Sequence, residues 1–122
     1  MFMEEIVRPV TWSKDRNKVV VSVSSSSNPG DYYYFDKENM ILTFLWDSSP
    51  WIDRSKLAKK QPIKYTARDG LVVHGYLTIP TGTDGKNLPM VVHPHGGPNA
   101  RDTMSYDPYV QFMANRGYVV FQ

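Results

Sequence analysis

The sequence predicts two structural parts, an antiparallel β meander followed by an α/β segment in which a helix connects two strands. Short β-branched and aromatic runs alternate with polar turns over residues 1–46, as in a meander. Asp69-Gly70 separates two further strand-like runs and is a strong hairpin signal. An apolar run, a glycine loop, an amphipathic segment and a second apolar run follow over residues 88–121. That order is typical of a β-α-β unit.

Three strands are predicted in the first part, at residues 19–23, 31–36 and 41–46, because these runs are rich in β-branched and aromatic side chains. The polar residues 24–30 are predicted to form a loop, and residues 37–39 a turn. The second strand contains three consecutive tyrosines. We expect these rings to pack across the sheet rather than stack on a ligand, since aromatic cross-strand pairs commonly stabilise sheets.

A connection is predicted at residues 47–60, where a cluster of Asp, Ser and Pro interrupts the strand pattern. Asp53 is a suitable N-cap for a short turn of helix that extends through residue 58. Trp51 is expected to pack against one of the two parts and to fix the connection there. Three basic residues are expected to form a solvated face, namely Lys56, Lys59 and Lys60.

The second part begins with a predicted hairpin, in which residues 63–68 and 71–79 flank a two-residue Asp69-Gly70 turn. Residues 80–87 contain Gly, Thr and Pro and predict a loop. The almost continuous apolar run at residues 88–93 favours a strand that is buried on both faces.

A helix is predicted after the glycine loop, with Asp107 as its N-cap and Pro108 in its first position. Gly117 suits the left-handed position that follows a helix, and residues 118–121 begin another apolar strand. Four apolar side chains at helical spacing are expected to form the buried face of the helix, namely Tyr106, Tyr109, Val110 and Met113.

The loop between the predicted strand and helix contains His95, Gly96 and Gly97. Because glycine has no Cβ, a substrate oxygen can approach its backbone N–H group closely. Backbone N–H groups in such a position stabilise the oxyanion that forms when an acyl group is attacked. A tight turn without chemistry is the alternative interpretation, and the strand–loop–helix order favours the oxyanion role.

Two histidines in this region also permit a metal interpretation, in which the chain would be a metal-dependent hydrolase. A usable metal site needs three or four convergent ligands. His93 and His95 are two residues apart, whereas His74 lies on a different predicted strand and no nearby carboxylate completes a known spacing. We therefore expect no metal site and no cofactor, and we interpret His93 and His74 as structural residues.

The composition argues against several functional classes. A net charge of +2 with scattered basic residues does not favour nucleic-acid binding. The absence of cysteine excludes disulfide bonds and thiolate metal sites. No apolar run approaches the roughly 20 residues of a membrane span. Residues 1–5 are acidic and lack the basic and apolar regions of a signal peptide.

Residues 61–122 resemble the opening of the catalytic domain in the prolyl oligopeptidase family of serine peptidases, in its acylaminoacyl-peptidase and dipeptidyl-peptidase-like branch. The resemblance is carried by the Arg-Asp-Gly hairpin within residues 63–80, by the His-Gly-Gly-Pro sequence at 95–98, and by residues 116–120. The resemblance implies that residues 1–58 are the last blade of a β-propeller plus a connection. It implies that residues 59–122 are the N-terminal part of an α/β-hydrolase domain.

The resemblance also implies a peptidase that cleaves peptides or acylated amino acids with Ser, His and Asp. In such enzymes the loop after the third strand supplies one oxyanion donor. By position, His95, Gly96 and Gly97 form that segment, with Gly97 supplying the main-chain N–H group. Peptide substrate is then the partner of the complete enzyme.

The chain departs from the family pattern at the nucleophile. None of its eight glycines frames a serine in the G-x-S-x-G pattern of a nucleophile elbow. We expect the triad to lie beyond Gln122 and the 122-residue chain alone to be inactive. Ser105 lacks the elbow and is interpreted as a loop or helix-start residue. The alternative function is that of a non-catalytic, β-rich binding or structural module.

Overall fold

The computed structural model describes residues 5–122 and contains two four-stranded sheets. Residues 1–4, which carry most of the acidic start interpreted above, lie outside the described part. The first sheet is antiparallel throughout, with the strands in sequence order. Its strands are β1 (Ile6–Trp12), β2 (Lys18–Ser25), β3 (Asn28–Asp36) and β4 (Ile41–Asp47).

The predicted β meander is confirmed, and so is the role of its tyrosines. The ring of Tyr32 stacks on that of Trp46 with centroids 4.5 Å apart. The ring of Tyr33 meets that of Phe44 edge-on at 5.5 Å. Both pairs join β3 to β4, and each contributes about 0.5–1.5 kcal/mol beyond its buried area.

The loop predicted at residues 24–30 is wrong. Strand β2 continues to Ser25 and β3 begins at Asn28, so two residues form the turn. The buried side chain of Asn28 makes this possible, because its Oδ1 accepts from the N–H of Gly30 at 3.0 Å. Its Nδ2 donates to Asp31 Oδ2, also at 3.0 Å. Local propensity favoured a loop, whereas these buried hydrogen bonds stabilise a tight hairpin.

The connection after β4 contains one 3₁₀ turn, Arg54–Lys56, instead of a helix that reaches residue 58. Asp53 caps it as predicted, since its carboxylate accepts from the N–H of Ser55. The expectation for Trp51 is wrong, because the residue is 78% exposed.

The guanidinium of Arg54 fixes the connection to the first sheet. Its Nη1 and Nη2 atoms lie 2.8 and 2.7 Å from the two carboxylate oxygens of Asp31 in β3. Nη2 also lies 2.8 Å from Asp47 at the end of β4. The paired hydrogen bonds from Arg54 hold the pKa of Asp31 below its ordinary value, although burial opposes this shift.

The second sheet contains β5 (Lys60–Thr66), β6 (Val72–Thr78), β7 (Met90–Val92) and β8 (Val119–Phe121). It is mixed, and its spatial order is β5-β6-β8-β7. Strand β6 pairs antiparallel with β5 and with β8, whereas β7 and β8 are parallel. The helix α1 (Pro108–Asn115) joins the two parallel strands, which confirms the predicted β-α-β unit.

Two details of the second sheet differ from expectation. The hairpin loop has three residues instead of two: Gly70 donates to the carbonyl of Ala67, and Ala67 donates to that of Leu71. The strand predicted at residues 88–93 is shorter, and it is not buried on both faces. Met90 and Val92 are 58% and 60% exposed, because β7 lies at the edge of the sheet.

The ends of α1 agree with the sequence, whereas its buried face agrees with the prediction fully only at Val110. Asp107 accepts from two backbone N–H groups of the first turn, and Gly117 has a φ of +90° after the last. The helix is rotated relative to the predicted face, so that Tyr109 is exposed. Its buried residues are Val110, Gln111 and Ala114.

Gln111 connects the helix to both preceding parts of the chain. Its side-chain amide nitrogen donates to the carbonyl of Ser26 at 2.8 Å and to that of Ala58 at 2.7 Å. Its side-chain oxygen accepts from the N–H of Ala58 at 2.9 Å. Ser26 lies in the β2–β3 turn, so these bonds join the first sheet, the connection and α1.

The expectation of a solvated lysine face is wrong for Lys60, which is 6% exposed. Its backbone N–H donates to the hydroxyl of Ser26 and its ammonium to the carbonyl of Thr103. Lys56 and Lys59 are exposed. Within residues 5–122, no helix has the length and apolar character needed to cross a membrane.

Replacing Gln111 by Met should strongly destabilise the fold. The variant keeps the size of the side chain but leaves three buried backbone groups of Ser26 and Ala58 without partners. At roughly 1 kcal/mol per unpaired group, the free energy of unfolding should fall by about 3 kcal/mol. Urea denaturation measures this loss, with the exposed Asn115→Met on the same helix as control. A loss within about 0.5 kcal/mol of the control would contradict the assignment.

Asp31→Asn should reduce the dependence of stability on acid pH. The folded-state pKa of Asp31 lies below 3.8, so its charge stabilises the fold above that pH. This stabilisation is lost as pH falls from about 3.8 through the lower folded-state pKa. Urea denaturation between pH 7 and 3 should therefore show a shallower acid decline for the variant than for wild type. Asp84→Asn, at an exposed carboxylate beside Lys86, is the control, and its free energy of unfolding should vary with pH as that of wild type does. The same pH dependence in all three proteins would refute the stabilising role of the Asp31 charge.

Candidate functional site

The candidate site is the loop that leaves β7 and enters α1, residues 93–107. It begins where the N–H of His93 donates to the carbonyl of Phe121 in β8, at 2.7 Å. It ends at Asp107, whose carboxylate accepts from the N–H of Tyr109 at 2.9 Å. Because β7 and β8 are parallel, the loop starts at the edge of the sheet where both strands end.

Gly97 has a backbone conformation that requires glycine. Its φ is +117°, a value that residues other than glycine rarely adopt. A Cβ built at this position would lie 3.2 Å from the Cβ of Ala100 and 3.3 Å from the backbone nitrogen of Asn99. Gly96, in contrast, has open space around the corresponding position.

The backbone donors of this loop are available. Within residues 5–122, the N–H groups of Gly96 and Gly97 donate no hydrogen bond, and both residues are exposed. An exposed N–H group satisfied by water alone can exchange that water for a ligand oxygen. The arrangement therefore offers hydrogen-bond donors to an incoming acceptor.

His95 contacts the loop backbone through its ring. The Nδ1 atom lies 3.0 Å from the carbonyl oxygen of Gly96. A carbonyl oxygen only accepts, so Nδ1 carries the proton in this contact. The Gly96 carbonyl and the Gly97 N–H belong to one planar trans peptide unit. Fixing the carbonyl therefore also fixes the direction of the Gly97 N–H group.

A cavity of about 290 Å³ lies beside the loop. Residues of β5 and β6 line one side of it, and His95, Arg101, Asp102 and Gln122 also contribute. The Nε2 atom of Gln122 donates to the Asp102 carboxylate at 3.0 Å. The Oε1 atom of Gln122 is buried and has no partner among the described residues. The cavity is thus lined by charges of both signs, from Arg101 and Asp102.

Gly75 also lines this cavity, and the sequence did not single it out as a site residue. A Cβ on Gly75 would lie 2.5 Å from the carbonyl oxygen of Gln122 and would overlap the ring of Phe121. Tyr76 and Gln122 exchange two backbone hydrogen bonds, each of 2.8 Å. Glycine therefore allows β6 to approach β8 closely. A glycine inside a strand pattern is the signal that was available.

Two of the three histidines lie at the same cavity, and the third does not. His74, on β6, and His95 line the same cavity, whereas His93 does not. No group of three metal-ligating side chains is found among the described residues. Ser105 lies before α1, with its hydroxyl oxygen 2.7 Å from that of Thr103.

The sequence of this chain is similar to the sequences of known peptidases. The chain is 34% identical over 117 residues to dipeptidyl aminopeptidase BIII of Pseudoxanthomonas mexicana, covering 90% of this chain and 17% of that protein. It is 29% identical over 134 residues to dipeptidyl peptidase family member 6 of Caenorhabditis elegans, covering 93% of this chain and 18% of that one. The chain belongs to the prolyl oligopeptidase family. No family model matches the chain.

Solved structures of prolyl oligopeptidase relatives share the fold. A prolyl endopeptidase matches 96% of this chain and 17% of its own with a TM-score of 0.69 at 13% identity. An acylaminoacyl peptidase in complex with a chloromethyl ketone matches 97% of this chain and 18% of its own with a TM-score of 0.68 at 19% identity. The chain thus spans less than a fifth of the length of these family members.

Proposed function

We propose that this chain is the segment of a serine peptidase that contributes one donor of the oxyanion hole. In this proposal, residues 1–58 are the end of a β-propeller with its connection, and residues 59–122 are the N-terminal part of an α/β-hydrolase domain. The peptidase names of the relatives support the reaction class. The chain alone, without a nucleophile, is inactive.

The observation that carries the proposal is the free N–H of Gly97 in a loop between strand β7 and helix α1. This strand is the third of the second sheet in chain order, and α1 is the first α-helix. In α/β-hydrolases the loop after the third strand supplies one oxyanion donor, and the residue after the nucleophile supplies the other. A donor fixed in advance stabilises negative charge as it develops on the attacked carbonyl oxygen.

His95 has a supporting role in this mechanism. Its Nδ1–H group holds the Gly96 carbonyl, so the Gly97 N–H on the opposite side of the same peptide is directed away from it. The imidazole thereby reduces the reorganisation needed when the oxyanion forms. Gly96 and Gly97 leave room for the substrate carbonyl group to approach.

The experiment that tests this function compares the 122-residue chain with the product of its complete native gene. Both proteins are treated with a fluorophosphonate probe and analysed by peptide mass spectrometry. We expect labelling of a serine in a G-x-S-x-G sequence of the complete product, and none in residues 1–122. If the complete product is unlabelled and cleaves no peptide substrate, the non-catalytic β-rich module becomes the better interpretation.

Gly97→Ala should reduce catalysis in the complete product. The substitution opposes the φ of +117° and crowds Ala100, so the Gly97 N–H moves. Loss of one oxyanion donor lowers kcat by about 10²–10³-fold, with little change in KM. Steady-state hydrolysis of dipeptide and acylated amino acid p-nitroanilides measures this effect.

A matched control exists in the loop before β7. Gly82 also has a positive φ, of +82°, but a Cβ there would meet nothing within 4 Å. Gly82→Ala therefore carries a similar backbone strain away from the candidate site, and kcat should stay within about twofold of wild type. Equal losses of kcat in both variants would contradict the specific role of Gly97.

A further inference from the structure

Lys60 occupies an unusual position for a lysine. It is the first residue of β5, directly after the connection, and it is 6% exposed. Its ammonium nitrogen donates to the carbonyl of Thr103 at 2.9 Å. The same nitrogen lies 5.8 Å from the centre of the Tyr76 ring. A buried ammonium is rare unless it is paired, so these contacts explain how this one is accommodated.

Two carboxylates of the candidate loop also act on this ammonium. Burial lowers the pKa of Lys60, and the charges of Asp107 and Asp102 oppose that effect. Asp102 directly precedes Thr103, and Asp107 ends the loop four residues after it. Both charges therefore belong to the same loop as the carbonyl group that the ammonium binds.

The loop has few other fixed points. Between residues 94 and 106, its backbone makes no hydrogen bond to another backbone group of the described chain. His93 fixes the start through Phe121, and Asp107 caps α1 at the end. Side chains from outside hold the intervening part, through Lys60 on Thr103 and Gln122 on Asp102.

Lys60 also contacts the first sheet. Its backbone N–H donates to the hydroxyl of Ser26 at 3.1 Å, in the turn between β2 and β3. One residue thus touches the first sheet with its backbone and the candidate loop with its side chain. A displacement of the two sheets relative to each other would be transmitted to Thr103 through this residue.

We propose that Lys60 is a positioning residue for the candidate loop. Its ammonium holds the loop at the Thr103 carbonyl, and its backbone N–H group fixes that position relative to the first sheet. The proposal rests on the proposed function for the catalytic role of the loop, and on the structure for the contact itself. Lys60 does not touch the substrate, and it acts through the placement of Gly97.

The kinetic test uses Lys60→Met in the complete native gene product, with the exposed Lys64→Met on the same strand as control. Because the Gly97 donor acts mainly in the transition state, kcat should fall by roughly tenfold while KM changes little. Lys60→Arg retains the charge and should restore most of kcat. Equal kcat for Lys60→Met and Lys64→Met would overturn the proposal.

A second measurement needs no activity and no variant. In the complete wild-type gene product with ¹⁵N-labelled lysine and ¹³C-carbonyl-labelled threonine, the Lys60 ammonium should exchange its protons more slowly than that of Lys64 and show a coupling to the Thr103 carbonyl. Fast exchange for both lysines would overturn the proposal, even if Lys60→Met fails to fold. If the Lys60 signals behave as expected but the complete wild-type gene product hydrolyses no peptide, the proposed function fails while the loop contact stands.

Discussion

The side chain of Gln111 is the constraint on which the arrangement of this chain depends. A carboxamide offers two donors and one acceptor oxygen, and here three hydrogen bonds are made to the backbone of Ser26 and Ala58. All three residues are buried, so each bond prevents a desolvated backbone group from remaining unpaired. Helix α1 is therefore fixed to the first sheet and to the connection at once. Since α1 begins where the candidate loop ends, the same bonds place the end of that loop.

The connection between the sheets is held from both sides by polar groups. Arg54 binds it to Asp31 and Asp47 of the first sheet, and Gln111 binds Ala58 from the second part. The planar guanidinium binds both carboxylates in a fixed geometry, which a lysine ammonium could not do. These interactions contribute geometric specificity as well as stability, because a hydrophobic contact in the same place would permit sliding. The exposure of Trp51 agrees with this view, since the connection does not need an aromatic contact to stay in place.

Much of the local structure could be predicted because it follows from neighbours in sequence. Asp53, Asp107 and Gly117 satisfy the ends of helical turns within a few residues, and the meander follows from alternating strands and turns. The rest depends on distant partners. Ser26 meets Lys60 across 34 residues and Gln111 across 85 residues, which no local pattern encodes. The burial of Lys60 and the rotation of the α1 face were missed for this reason.

The candidate site shows the same division between local and distant determinants. Its glycines were recognisable because the loop needs a backbone that other residues rarely adopt, and Gly97 has that conformation. Gly75 carried a local signal, since a glycine inside a strand marks a close approach, but the strand that approaches it, β8, is distant in sequence. Lys60 was not recognisable, because its role lies in its contact with the distant Thr103 carbonyl. An oxyanion donor is effective only when its direction is fixed before the charge develops. In the proposed role, His95 sets the direction of the Gly97 N–H group from within the loop. The loop makes no backbone–backbone hydrogen bond between residues 94 and 106, so its course depends on side chains from outside, Lys60 and Gln122, whose positions follow from the packing of both sheets.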